Sequence, residues 1–370
     1  MAYLMPMGDR SSDLDGELDG NTPVPDAITS LRFYGSPHAP LPLPARARLF
    51  TIGTAPCDIT VPHELARDVA PVHATIERVE GAIRICDQLS RHGLYRRPRS
   101  ARVPELLLYP GAVGWVGGCG IVALTPALEA LRATLARCVG LDAHLAIDEA
   151  IAIVADGGPI ALLGPRNLDV MMLARAIHAA GPDGGRAFAT CVDDADVPMI
   201  DGAAGTRVIE LDRVRRFPAG QVAAMFAARC EARVILLAHD ERVVRRHLDA
   251  HAERVRWIAL TPLGQRRHEV VRLLQAIWRD ELGTDRGVDA LGARALDGLT
   301  AHAWRGNLDE LRAMAARLLA YVEHPTLRAA AEALGIRRQT LAQHLDRVGV
   351  PTLDRGDREG DGWRPRVSRG

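Results

Sequence analysis

Two clusters in the 370-residue chain have residue types and spacing suited to chemistry. The first is Gly164-Pro-Arg-Asn-Leu-Asp-Val170, set between an apolar run, Pro159–Leu163, and a helical one, Leu168–Ala180. A phosphate cradle at such a place needs GxxxxGK[ST], because backbone amides hold the phosphates and the lysine neutralises them. Here Asp169 takes the second glycine position and Val170 the lysine position, while Pro165 removes a backbone donor. A carboxylate beside a phosphate in a poorly solvated site is repelled by several kcal/mol. No other lysine substitutes, because all 46 basic residues are arginine. The second cluster is Arg337, Arg338 and Gln339 at the start of a helix predicted over Arg337–Val348. Arginine suits guanine edges and glutamine suits adenine edges in a major groove.

The elements that must position these clusters follow from periodicity. Short apolar runs at Arg48–Ile52, Ala74–Val79, Ala82–Cys86, Val113–Val116 and Ile121–Leu124, separated by turn residues, predict an all-β sandwich over residues 31–126. Leu128, Leu131, Leu135 and Cys138 recur at helical spacing and predict a linker helix within 127–145. Strands at Pro159–Leu163, Arg207–Leu211, Arg233–Ala238 and Val255–Leu260 alternate with helices at Leu168–Ala180, Ala219–Ala228 and Arg266–Leu282. That alternation predicts an α/β core with a parallel sheet over 146–284. A helical region follows at 285–322, then a helical pair at 323–352 in which Gly335 makes the turn and Gly349-Val350-Pro351 ends the second helix. Segments 1–30 and 353–370 are polar and Gly-rich and are expected to be disordered.

Composition narrows the partners. Formal net charge is zero, so a nucleic-acid surface must be local. The arginine- and alanine-rich bias matches a GC-rich bacterial genome. The cysteines, Cys57, Cys86, Cys119, Cys138, Cys191 and Cys230, form no CxxC pair and have no histidine cluster beside them, so free thiols are expected rather than a metal site. The start of the chain lacks a basic stretch with a long apolar run, and no apolar run is long enough to span a bilayer. A cytoplasmic location is expected.

Three resemblances join these parts. Ile52-Gly53, Cys57-Asp58-Ile59, Val72-His73-Ala74-Thr75-Ile76, Asp87–Gly93 and Tyr109-Pro110-Gly111 together resemble a forkhead-associated (FHA) domain, a sandwich that binds phosphothreonine peptides. The resemblance places a phosphate site at Thr54, Ser90, Arg91 and His92. Thr54 stands where the family has an arginine, Ala70 where it has a serine, and His92 where it has an asparagine. The alternative is a sandwich used for packing or for phosphate-independent contacts, with Arg96, Arg97 and Arg99 lending charge. The second resemblance is to the ATPase domain of the sigma-54-dependent enhancer-binding regulators of the AAA+ class. It is carried by the Gly164 loop, Val208-Ile-Glu-Leu-Asp212, Arg233–His239, Thr261–Glu269 and Ala303–Leu311. It implies that Asp212 could hold magnesium, but Arg213 replaces the catalytic glutamate and Asp309 the lid arginine. The sigma-54 contact loop has no counterpart in the text between Phe188 and Gly205. Third, ALGIRRQTLAQHLDRVGV resembles the Fis-type helix-turn-helix that ends the same regulators, with Arg337, Arg338, Gln339, Thr340, Gln343, His344 and Arg347 toward DNA.

The sequence therefore predicts three parts: an FHA-like sandwich, an AAA+-like α/β domain with a helical lid, and an all-α helix-turn-helix. The expected function is a DNA-binding transcription regulator on duplex DNA, a homo-oligomer without bound ATP or magnesium, without ATP hydrolysis and without sigma-54 remodelling. A protein or phosphothreonine-protein partner is expected at the sandwich. The competing reading is an adaptor that recruits partners through the sandwich and does not bind DNA.

Overall fold

The computed structural model describes residues 27–45, 47–165, 167–182, 184–191, 205–214 and 232–352. The expected helix Ala219–Ala228, the disorder of the two ends and the stretch after Cys191 lie wholly or mostly outside them.

Residues 28–124 form two packed antiparallel sheets. The strands are β1 (Ser30–Phe33), β2 (Leu41–Pro42), β3 (Leu49–Gly53), β4 (Ile59–Thr60), β5 (Ala74–Val79), β6 (Ala82–Asp87), β7 (Leu94–Tyr95), β8 (Arg102–Val103), β9 (Glu105–Leu108), β10 (Val113–Val116) and β11 (Cys119–Leu124). One sheet runs β2-β1-β11-β10-β7-β8 and the other β4-β3-β5-β6-β9, with β3 and β4 a short parallel pair. Alternation builds the core between them. In β9, Leu106 and Leu108 are buried while Glu105 and Leu107 are exposed, and Phe50, Ile52, Ile76, Ile83 and Ile85 of the same sheet share their core.

Strand β11 is buried along its whole length because it serves two cores. Ile121 and Ala123 face the sandwich, while Val122 and Leu124 face the helices that follow. Those helices are α1 (Pro126–Val139) and α2 (His144–Ala155). Thr125 starts α1, its hydroxyl accepting from Leu128 N at 3.3 Å, with Pro126 at the first helical position. A buried ion pair crosses the same boundary. Arg32 of β1, paired in register with Val122, donates through Nε to Asp148 Oδ1 of α2 at 3.0 Å, both side chains being sealed from water. Gly35 N donates to the same carboxylate at 2.8 Å, and the Arg32 Nη groups donate to the carbonyls of Ser36 and His38.

Next comes a five-stranded parallel sheet of β12 (Ile160–Leu163), β13 (Ala187–Cys191), β14 (Gly205–Glu210), β15 (Ala232–Ala238) and β16 (Arg256–Ala259). The order β13-β14-β15-β12-β16 puts the first strand of this sheet near its centre, with α3 (Val170–Ala180) leaving its C-terminal end. Ligand crevices in such sheets open at the C-terminal ends of strands where the chain order reverses, so the topology points to the Gly164 loop. Helix α4 (Glu241–Leu248) follows β15. The helix expected over Arg266–Leu282 begins later, as α5 (Val270–Asp280), because two 3-10 turns hold Leu263–Glu269.

Helices α6 (Ala293–Ala301) and α7 (Asn307–Glu323) complete the helical region, and α8 (Leu327–Ala333) and α9 (Arg338–Arg347) form the terminal pair. Thr326 starts α8, accepting from Ala329 N at 3.1 Å. The turn uses Gly335 at φ 66°, a left-handed value that suits glycine. Leu341, Leu345 and Val348 continue one apolar core that runs through α7 into the α/β domain. A Cβ on Gly298 of α6 would lie 2.3 Å from Gly349 O, so two backbones meet there directly. No helix among the described residues is long and apolar enough to cross a membrane.

Candidate functional site

At the C-terminal ends of β12, β14 and β15 lies a cleft of about 340 Å³, lined by Gly164, Asp169, Val170, Glu210, Asp212 and Asp309 among others. The topology thus brings together the sequence-predicted Gly164, Asp169, Val170, Asp212 and Arg213. Their chemistry is not that of a phosphate cradle. Leu168 is fully buried in the core, pinning the loop, and its carbonyl accepts from Cys138 Sγ at 3.1 Å. Burial pushes that thiol up to about 12. Asp169 stands before α3 in the left-handed region at φ 58°, a conformation that favours glycine, and its side chain does not cap the helix. Instead its carboxylate pairs with the guanidinium of Arg312, which reaches in from α7. Arg312 also donates through Nε to Glu281 Oε2 at 2.8 Å. Burial pulls the Arg312 pKa down, but its bonds to Asp169 and Glu281 outweigh this and the net shift is upward.

Other cleft charges also pair within the protein. Asp212 Oδ1 lies 2.5 Å from His239 Nδ1, and Arg213 Nε lies 3.0 Å from Glu210 Oε2. Burial, then the charge of Asp169, raises the Asp309 pKa against the opposing charge of Arg312. Asp169 Oδ2 is buried and accepts no hydrogen bond among the described residues. A bound nucleotide triphosphate would add several more negative charges here. The fit is therefore poor: carboxylates stand where cationic and amide donors are required, and methionines Met171 and Met172 follow Val170. Sequence reading missed the roles of Arg312 and His239, which pair with cleft carboxylates, and of Glu281, which holds Arg312; tertiary folding alone brings them together.

The loops at one end of the sandwich bring the second group together. Thr54 is exposed, its backbone N–H donating to Ala70 O at 3.1 Å. Ala70 N donates to His73 Nδ1 at 3.0 Å, so the ring proton sits on Nε2, which lies 2.9 Å from both Gly93 O and Ser90 Oγ. Ser90 is buried and donates to Asp87 Oδ1 at 2.5 Å. Arg102 pairs with the other oxygen of Asp87. Burial lowers the His73 pKa, outweighing the opposing hydrogen bond to Gly93. Ser90 is thus committed to an internal network. Arg91 is exposed, and His92 is partly exposed with Nε2 at 3.6 Å from Asp68 Oδ1.

On α9, Arg337, Arg338, Gln339, Gln343 and Arg347 are exposed and Thr340 is partly so, while Leu341 and Leu345 are buried. His344 is half-buried with Nδ1 enclosed, and burial, then the charges of Arg317 and Arg347, lowers its pKa. The structure also groups Asp142, His268 and Glu269 closely enough to hold a metal ion, which the sequence did not suggest. Arg272 already pairs with Asp142 at 2.8 Å and Arg266 with Glu269 at 2.9 Å.

No family model matches the chain. No curated protein matches it. Among solved structures, it is similar to NtrX from Brucella abortus in complex with ATP, at 17% identity over 61% of this chain and 68% of that one, with a TM-score of 0.36. It is similar to the FHA domain of the CT664 protein from Chlamydia trachomatis, at 17% identity over 26% of this chain and 94% of that one, with a TM-score of 0.22. A third similarity is to Mycobacterium tuberculosis EmbR in complex with a low-affinity phosphopeptide, at 20% identity over 26% of this chain and 24% of that one, with a TM-score of 0.22.

Proposed function

We propose that the chain is a DNA-binding transcription regulator in which a nucleotide-independent α/β scaffold and its helical lid present a helix-turn-helix, while the sandwich meets a protein partner. The observation that carries this reading is the division of side chains along α9. Leu341, Leu345 and Val348 face the core, while Arg337, Arg338 and Gln339 stand exposed at its start. A recognition helix needs that division, because its N-terminal residues reach base edges while its other face seats on the domain. Arg and Gln supply bidentate donors for guanine and adenine. Such modules bind paired half-sites, so the working form is a homo-oligomer. The pairing of the cleft's charges with one another supports a scaffold that neither binds nor hydrolyses ATP and does not remodel sigma-54. The location is cytoplasmic.

A second reading has its own observation. Helices α8 and α9 share the core of the lid, and Arg91, Arg96, Arg97 and Arg99 are exposed on the sandwich. In an adaptor, α9 would be a packing element and the sandwich would carry the function. Capture of fragmented genomic DNA on the purified full-length chain separates the two. The regulator reading expects a shared, preferably palindromic site that the Arg337→Ala/Arg338→Ala variant fails to enrich. Equal retention of random fragments by both proteins would discard it.

A further inference from the structure

Helix α7 joins two places that the chain keeps far apart in sequence. Its first half faces the Gly164 loop. Asn307 Nδ2 donates to Asn167 Oδ1 at 2.7 Å, Asn167 Nδ2 donates to the carbonyl of Arg305 at 3.2 Å, and Arg312 pairs with Asp169. Its second half seats the terminal pair: Leu318 and Val322 lie in the same core as Leu327, Leu341 and Leu345, and Tyr321 Oη donates to Pro351 O at 3.0 Å.

The position of Arg312 has a simple helical meaning. Asp309 stands where the resembled regulators carry a lid arginine, and Arg312 is three residues further on, neighbouring Asp309 on one helix face. Arg312 thus lies about one turn beyond Asp309, and the anion it meets belongs to the chain itself. That anion is Asp169, at the start of α3, the kind of place where helix N-terminal amides attract phosphate. Glu281, just beyond the end of α5, grips the same guanidinium from the other side at 2.8 Å. The bridge therefore spans the loop after β12, helix α7 and the end of α5.

We propose that the Asp169–Arg312–Glu281 bridge takes the place of a nucleotide between the α/β core and the lid, fixing α7, and the terminal helices seated on it, in one orientation without any ligand. This rests on the nucleotide-independent scaffold proposed above and names the residues that make it so. A nucleotide joins core to lid only while bound. A carboxylate fixed in the chain joins them permanently, so the lid has no ligand-dependent switch.

Amide hydrogen exchange on the full-length protein tests this, comparing the unaltered chain with Asp169→Asn, Arg312→Gln and the double variant. Each single substitution is expected to speed exchange in the loop at 167–169 and the first turns of α7 by about tenfold, the range of a local opening. The double variant should be no faster than the faster single variant, because both remove one interaction. Magnesium-ATP at millimolar concentration should leave the unaltered protein's exchange as it was. Unchanged exchange in both single variants, effects that multiply in the double, or protection of the loop by ATP in the unaltered chain would each overturn the proposal. If a single variant unfolds as a whole, Arg312→Lys is read instead. It keeps one charge but not the two-sided grip, and faster exchange confined to the loop and α7 is expected, whereas exchange as slow as in the unaltered chain would count against the bridge. Genomic DNA capture separates this outcome from the function: selective capture with no exchange effect sinks the bridge alone, and the reverse sinks the DNA reading alone.

Discussion

Helices α3 and α9 both begin where backbone N–H groups attract negative charge, and the protein treats the two starts in opposite ways. At α3 the chain supplies its own anion, Asp169, and closes it with Arg312. At α9 it supplies arginines and glutamine and leaves Arg337, Arg338 and Gln339 exposed. The same element is thus a structural joint in one place and an open contact surface in the other. In the proposed function, the direction in which charges face, inward or outward, separates scaffold from reader. Inward charges should govern stability first and touch DNA affinity only through the seating of the terminal helices. Outward charges should do the reverse.

The most buried inward pair gives the sharpest test of that division. Asp148→Ala leaves the sealed Arg32 guanidinium uncompensated and is expected to destabilise the protein by about 3–5 kcal/mol, read by urea unfolding. A loss below about 1 kcal/mol would mean that water and the carbonyls of Ser36 and His38 compensate the Arg32 guanidinium at little cost. On the outward side, Arg338→Ala is expected to cost about 1–3 kcal/mol of discrimination at one base pair, read by competition between matched and mismatched duplexes, with the unfolding midpoint unmoved. A drop in stability instead would make Arg338 part of the fold. Between the two lies Thr326, whose hydroxyl caps α8. Thr326→Ala is expected to cost about 1 kcal/mol, seen as faster amide exchange in α8.

The smallest effect is pH-dependent. Burial lowers the His73 pKa, so the folded sandwich holds the ring neutral while the unfolded chain protonates it near its ordinary value. The unfolded state then binds more protons at acid pH, and stability rises with pH in that range. His73's contribution is complete above about pH 6.5 and falls away as pH drops from there toward the folded value. Unfolding midpoints measured across pH 5 to 8 should show this slope, and His73→Asn should flatten it. An unaltered slope in that variant would assign it to other groups.

Much of the architecture was legible because burial leaves a period. The short apolar run Val113–Val116 and the Leu128, Leu131, Leu135 spacing reappear directly as β10 and α1. Helix α2 went unread although Ile147, Ala150, Ile151 and Val154 have helical spacing, because Leu145, Ala152 and Ile153 blur the stripe. The late start of α5 was illegible since 3-10 turns carry no period of their own over so few residues. In the cleft, the sequence showed which residue types stand at Asp169, Val170 and Arg213. It could not show what Asp169 and its cleft neighbours pair with. Arg312 lies 143 residues from Asp169, and His239 lies 27 from Asp212, so only the folded sheet and lid bring them together.

The central claim is sequence-selective DNA binding that needs no nucleotide. Titrating the full-length protein into a duplex recovered by genomic capture, and into a scrambled duplex, with and without magnesium-ATP at fixed salt, tests it most directly. The account predicts a clear preference for the recovered duplex with dissociation constants unchanged by ATP. Equal affinity for both duplexes, or a preference that develops only when ATP is present, would contradict it.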